Sequence, residues 1–227
     1  MTSSASEPLH TADATSDTGH DADAATPGTG RKRPKPGERR VQILQALATM
    51  LEQPGAERIT TAALAAKLDV SEAALYRHFA SKAQMFEGLI EFIEQSIFGL
   101  VGQLGDREPD AAARSRKLVT LLLQFGEKNP GMTRVMVGDA LVFENERLQQ
   151  RMNLFFDKIE STLRQNLREA AVLTGTATPT VDAQADASVV TAFCVGRLQR
   201  FARSGFKRLP SESLEHSLAL LLPAEHL

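Results

Sequence analysis

The stretch ITTAALAAKLDVSEAALYRHFASK, residues 59–82 of the 227-residue chain, leaves the backbone few choices. Thr60 and Ser71 are residue types that cap helix N-termini, because a short side-chain oxygen accepts a backbone N–H that the first turn leaves without a partner. Between them Leu64, Ala65 and Leu68 keep helical spacing, and Asp69 interrupts the pattern before the second cap. Two short helices joined by a tight turn are therefore expected. Asp69 stands where such turns usually carry glycine, and aspartate tolerates the left-handed region moderately well. After Ser71, Glu72 suits the positive end of a helix, while Ala73 and Ala74 are small enough to let backbone approach a flat surface. Leu75 and Phe79 point inward, which leaves Ala74, Arg77 and His78 on an outer face suited to a nucleic-acid groove.

Helical spacing continues on both sides. A support helix is expected over 37–53, with Val41, Leu44, Leu47, Ala48 and Leu51 as its stripe and Pro54-Gly55 as its end. Ser81 caps a longer run in which Met85, Phe86, Leu89, Ile90, Ile93, Ile97, Leu100, Val101 and Leu104 recur as far as Gly105, a rod of roughly 35 Å. Further helices are expected over 110–128, stopped by Asn129-Pro130-Gly131, then over 132–136, 144–173, 182–204 and 210–222, with a loop over 174–181. No strand-like alternation intervenes. The fold class is all-α, an N-terminal three-helix unit joined to a helical body. The expected partition is an acidic disordered tail over 1–30, a basic arm and helix-turn-helix over 31–80, and the body over 81–227.

Charge is distributed unevenly. The formal net charge is -2, yet residues 1–30 carry Glu7, Asp13, Asp17, Asp21 and Asp23 with no Lys or Arg. The segment RKRPKPGERR, residues 31–40, is strongly basic, and Pro34 and Pro36 keep it extended, as an arm following phosphates would be. Cys194 is the only cysteine, so no intrachain disulfide framework exists, and it reads as a small buried hydrophobe. No signal segment opens the chain and no apolar run approaches the ~20 residues of a membrane span, so a soluble cytoplasmic protein with no membrane partner is expected.

The two C-terminal helices are rich in apolar residues: Val189, Val190, Phe193, Leu198 and Phe201, then Leu214, Leu218, Leu220, Leu221 and Leu222. They are expected to form a partner surface, four helices from two copies. Such a two-fold homodimer sets two recognition helices about 34 Å apart on successive turns of the major groove of a palindromic double-stranded DNA site.

The arrangement resembles the TetR family of DNA-binding regulators, through the YRHFASK element after a three-helix start and the all-helical body. Within that family the resemblance is closer to the nucleoid occlusion factors. It is carried by RRxxILQxLAxMLE at 39–52, RITTAxLA at 58–65, VSEAALYRHFxSK at 70–82, MFxxLIEFIExS at 85–96 and FGExNPGxTR at 125–134. The resemblance implies phosphate contacts from Tyr76, His78 and Lys82. Thr60 and Thr61 can add hydroxyl and amide groups at a helix start. Arg77 and the edge formed by Ser71, Ala73 and Ala74 are the candidates for base reading, Arg for guanine and the methyl groups for thymine. The resemblance also implies that the DNA-bound protein contacts the tubulin-like division protein FtsZ, with Phe92, Leu121, Lys128 and Asn129 as the partner surface. Gln124 and Leu100 depart from the glycine and arginine expected there.

Two other functions compete. A ligand-responsive repressor of the same family would share the DNA end and add a pocket with convergent polar groups; no small-molecule ligand or cofactor is expected here. An enzyme would need a reactive constellation. Glu87, Glu91 and Glu94 share a helical face but lack a Glu-x-x-His partner, and His10, His20, His78, His216 and His226 have no ligand spacing, so neither catalysis nor a metal site is expected.

Overall fold

The computed structural model describes residues 37–53 and 58–222. The expected acidic tail, residues 31–36 of the basic arm and the helix-ending Pro54-Gly55 lie outside the described residues. Helix α1 (Glu38–Leu51) precedes the short α2 (Thr61–Lys67) and α3 (Glu72–Tyr76), and α4 (Lys82–Arg107) leads into the body. The body comprises α5 (Ala111–Lys128), α6 (Pro130–Met136), a 3-10 turn (Asp139–Leu141), α7 (Glu146–Leu173), α8 (Pro179–Arg203) and α9 (Leu214–Leu221). No strand occurs among the described residues.

Local chemistry accounts for most helix starts. Thr60, Ser71 and Ser81 each accept a backbone N–H three residues on, at 3.1, 3.2 and 3.2 Å, opening α2, α3 and α4. Asp110 accepts from Ala112 and Ala113 to open α5, and Asn145 accepts from Arg147 to open α7. Two starts fall earlier than expected, and the cause is the same. Pro130 and Pro179 read from the sequence as a breaker and a loop residue, yet each sits in the first turn of its helix, where the missing N–H would have had no partner anyway. Similarly, Gly105 does not end α4, which runs on to Arg107 and makes a rod of 26 residues, roughly 39 Å long.

A continuous core runs from α1 to α9. Ile43, Leu47, Leu75, Phe79 and Phe86 fill its first part, and Leu122, Phe155, Ile159, Val190 and Leu198 its second. α8 packs on α5, α6 and α7, so it needs an apolar arc wider than a surface helix would. This corrects the reading of the C-terminal pair. Val190, Leu198, Phe201, Leu214, Leu218 and Leu222 are buried within the chain's own core, and Phe193 and Leu221 are partly buried. Val189 and Leu220 remain exposed, with Val181 added. Arg116 of α5 holds α9 in place by donating to the carbonyl of Leu222 at 2.6 Å.

Two glycines set how closely the helices approach. A Cβ on Gly131 of α6 would lie 2.0 Å from the carbonyl oxygen of Ala48 in α1, and one on Gly126 of α5 would lie 2.3 Å from Leu198 of α8. Gly131 is therefore the point where the body presses directly on the helix supporting the helix-turn-helix. Cys194 is fully buried, and burial pushes its thiol up to about 12, in keeping with an apolar filler. No described helix is long and apolar enough to cross a membrane.

Candidate nucleic-acid interface

The turn between α2 and α3 is built from local hydrogen bonds. Asp69 takes φ 54, and its N–H donates to the Ala66 carbonyl at 3.2 Å while that of Val70 reaches back to Ala65 at 3.1 Å. This paired closure with one left-handed residue ends α2 without glycine. The backbone then reaches Ser71 in an extended conformation, ready to cap α3.

Ala73 of α3 and, just past its end, Arg77 and His78 face solvent; Ala74, expected on that outer face, is half-buried beside the fully buried Leu75. Tyr76 is 45% exposed, so it is a surface residue, and its hydroxyl sits 3.5 Å from that of Thr61. Thr61 in turn donates to the Glu72 carboxylate at 2.5 Å, which ties the start of α2 to that of α3. Thr61, Glu72 and Tyr76 are thus brought together where α2 meets α3, with Thr60 and Ser71 at the starts of those helices and Arg77 and His78 just past the end of α3. The Thr60 and Ser71 oxygens accept backbone N–H groups and keep their own protons for an outside acceptor such as phosphate.

Arg40, read from sequence as part of the basic arm, has a different position. Its guanidinium lies 4.0 Å from the centre of the Phe79 ring and donates to the carbonyl of His78 at 2.9 Å. It clamps the end of the recognition segment from α1. No short-range pattern signals this, since the partners are 38 residues apart.

Lys82, expected to contact phosphate, has a partner within the chain. Its ammonium is paired with the carboxylate of Glu144 in the body, and its side chain is 29% exposed. The pairing holds α4 to the segment before α7. It begins a series that continues with Glu87–Arg147 at 2.7 Å and Glu94–Arg151 at 2.5 Å. The Glu94 hydrogen bond raises Arg151 above the ordinary arginine range.

The expected partner residues divide in the same way. Phe92 is 47% exposed on α4, Leu100 is exposed two turns later, and Lys128 is exposed at the end of α5. Leu121, Gln124 and Lys128 share one face of α5, Leu121 being half-buried against the core. Asn129 does not join them. Its side-chain amide donates to the Phe125 carbonyl at 2.7 Å, so it caps the end of α5.

A cleft of about 340 Å³ lies where α4 ends and α5 begins, against α7. It is lined by Val101, Leu104 and Leu118 with Arg114, Asn166 and Glu169. The Arg114 guanidinium is already occupied by Glu169, Asn166 and the carbonyls of Glu108 and Pro109. Among the described residues no group of three or more His, Cys, Asp or Glu side chains could hold a metal ion.

Residues 43–89 match the family model "Bacterial regulatory proteins, tetR family", and residues 110–224 match "Tetracyclin repressor-like, C-terminal domain". The chain belongs to the TetR family. Among curated relatives, the nucleoid occlusion factor SlmA of Vibrio vulnificus (strain YJ016) is 52% identical over 188 residues, covering 82% of this chain and 95% of the relative. SlmA of Vibrio cholerae is 53% identical over 184 residues, 81% of this chain and 93% of the relative. Solved structures of other regulators share the fold at low identity. The fatty acid degradation regulator FadR of Bacillus halodurans superposes with a TM-score of 0.68 at 14% identity, over 84% of this chain and 98% of that one. AibR, solved with isovaleryl coenzyme A and operator DNA, gives 0.63 at 16%, over 82% and 98%.

Proposed function

We propose that this TetR-family chain is a nucleoid occlusion factor, a cytoplasmic, nucleoid-associated homodimer. It binds palindromic double-stranded DNA sites and, once bound, antagonises assembly of the FtsZ division ring over the chromosome. One observation carries the reading: the 52% identity to SlmA extends over 82% of this chain and 95% of the relative, so it includes the body as well as the DNA end. A match confined to the helix-turn-helix would support DNA binding and leave the purpose open, because function resides in particular sites rather than in the fold.

Residues 31–80 then form the DNA-binding part and 81–227 the dimerisation and partner part, behind an acidic tail over 1–30. Thr60, Thr61, Tyr76, His78 and Lys82 position the protein on phosphates, while Ser71, Ala73, Ala74 and Arg77 face base edges. Dimerisation uses α8 and α9. Val181, Ala185, Ser188, Val189 and Ala192 are exposed along one face of α8, and Leu220 is exposed on α9. The small side chains among them permit close approach by a second copy. FtsZ meets the α4–α5 face carrying Phe92, Leu121 and Lys128, with Leu100 and Gln124 altering its chemistry from that of the family pattern.

A repressor governed by a small ligand is the weaker reading. The guanidinium of Arg114 in the cleft between α4, α5 and α7 is occupied by the protein itself. No step of the proposed function is catalytic.

The test combines a chromosome-wide map of binding sites with FtsZ polymer sedimentation. Many sites spread away from the replication terminus, and loss of polymer antagonism in Phe92→Ala and Lys128→Ala with DNA binding intact, are the expected results. One site beside a neighbouring gene, or antagonism that survives both substitutions, would overturn the division role or its surface respectively.

A further inference from the structure

The helix-turn-helix carries a cation at each end, Arg58 before α2 and Lys82 at the first position of α4, and both are held by the same two-residue segment of the body. The Arg58 guanidinium lies 4.6 Å from the centre of the Phe143 ring, and the Lys82 ammonium is paired with the Glu144 carboxylate. Phe143 and Glu144 are adjacent in the chain but differ sharply in surroundings. The Glu144 side chain is only 9% exposed, whereas Phe143 is 58% exposed and its neighbour Val142 69%. An aromatic ring held in water over a guanidinium is kept there by the cation rather than by burial.

We infer that Phe143 and Glu144 form a clasp that competes with DNA phosphates for Arg58 and Lys82, so that duplex binding and clasp opening are one equilibrium. The inference rests on the DNA-binding reading and deepens it by naming an internal competitor. A carboxylate offers an ammonium the same kind of anionic oxygen acceptor that a phosphate does, and an ammonium with its charge and one of its three donors committed to Glu144 holds a phosphate less strongly. The backbone of the segment is tied to the preceding turn, the Glu144 N–H donating to the Leu141 carbonyl at 3.0 Å, so the clasp opens by rotation of its side chains. Gly138, at φ 84, begins the 3-10 turn, and Asn145 caps α7. The next ion pairs along the seam, Glu87–Arg147 and Glu94–Arg151, do not involve the clasp and stay closed when it opens. Opening moves a carboxylate from a nearly buried position toward water, which removes the penalty of leaving it unpaired. The body thereby carries a signal of DNA occupancy at residues 142–144, on the surface beside the helix-turn-helix.

The experiment measures dissociation constants for a labelled random-sequence duplex across a salt series, using the full chain, Glu144→Gln, Lys82→Met and the double variant. Glu144→Gln is expected to tighten binding about fivefold, the worth of one partly exposed ion pair. Lys82→Met is expected to weaken it and to reduce the slope of log K against log salt by about 0.9, one phosphate contact. In the Lys82→Met background the Glu144→Gln gain should vanish. A gain of equal size with and without Lys82 would show general charge repulsion, and no gain would show a merely structural pair; either result overturns the clasp. A second readout does not depend on the ion pair. The chain has no tryptophan and one tyrosine, so Phe143→Trp places a single tryptophan in the clasp, and its emission, excited at a wavelength tyrosine does not absorb, should shift as duplex saturates the protein. Constant emission through a titration that binds duplex overturns the inference, whereas failure of the full chain to bind duplex at any salt removes the DNA-binding reading itself.

Discussion

The helix-turn-helix and the body are both helical, yet they are held by different kinds of contact. In the first, the bonds that set shape join residues a few positions apart: Thr60 to Ala63, Ser71 to Ala74, and the left-handed closure at Asp69. In the second, α9 is tied to α5 by Arg116, and α5 meets α8 across Gly126, over separations of dozens of residues. The shape of the DNA-reading unit is therefore local, and its placement is not. Arg40, Gly131, Phe143 and Glu144 orient it, and all of them lie outside the stretch 59–82.

The hardest challenge to that contrast is Gly131→Ala. Its methyl would meet the Ala48 carbonyl, so α1 and α6 must separate, and stability should fall by about 3 kcal/mol in urea unfolding. DNA affinity should fall with it although Gly131 is on the body. A variant of unchanged affinity would show that the reading head is held by its own contacts alone. Next, Arg40→Ala removes the clamp on His78 and the cation over Phe79, with an expected loss of about 1–2 kcal/mol in stability. Arg40→Lys should not restore it, because an ammonium cannot stack and donate in the same plane. Rescue by lysine would reduce Arg40 to a simple charge.

The smallest effects belong to the caps. Ser71→Ala should cost about 1 kcal/mol and reduce DNA binding, since α3 would fray where it meets the groove. Asn129→Ala should cost a similar amount, about 1 kcal/mol, through the lost bond to Phe125, and leave FtsZ antagonism unchanged at temperatures where the protein is folded. Loss of antagonism in a folded Asn129→Ala protein would return that residue to the partner surface.

Much of the fold is legible in the chain because helices announce themselves through spacing and caps. The stripe of Leu44, Leu47 and Leu51 and the caps at Thr60, Ser71 and Ser81 place the first four helices within a few residues of where they lie. Misplaced boundaries come from proline, whose effect depends on whether it stands inside a helix or at its first turn. The C-terminal pair misleads for another reason. An apolar arc does not say whether it faces the chain's own core or a second copy, and here the core of α5, α6 and α7 takes most of it.

Spacing and caps alone suffice for an all-helical chain with a capped helix-turn-helix and with Arg77 and His78 turned outward, because each of those features depends on neighbours within one or two turns. That Ala73 rather than Ala74 completes the outer face came from the structure. Which cations are free is a matter for tertiary packing. Lys82 pairs with Glu144, Arg40 stacks on Phe79 and Arg58 lies over Phe143, and charge partners brought together across dozens of residues leave no periodic trace in the chain.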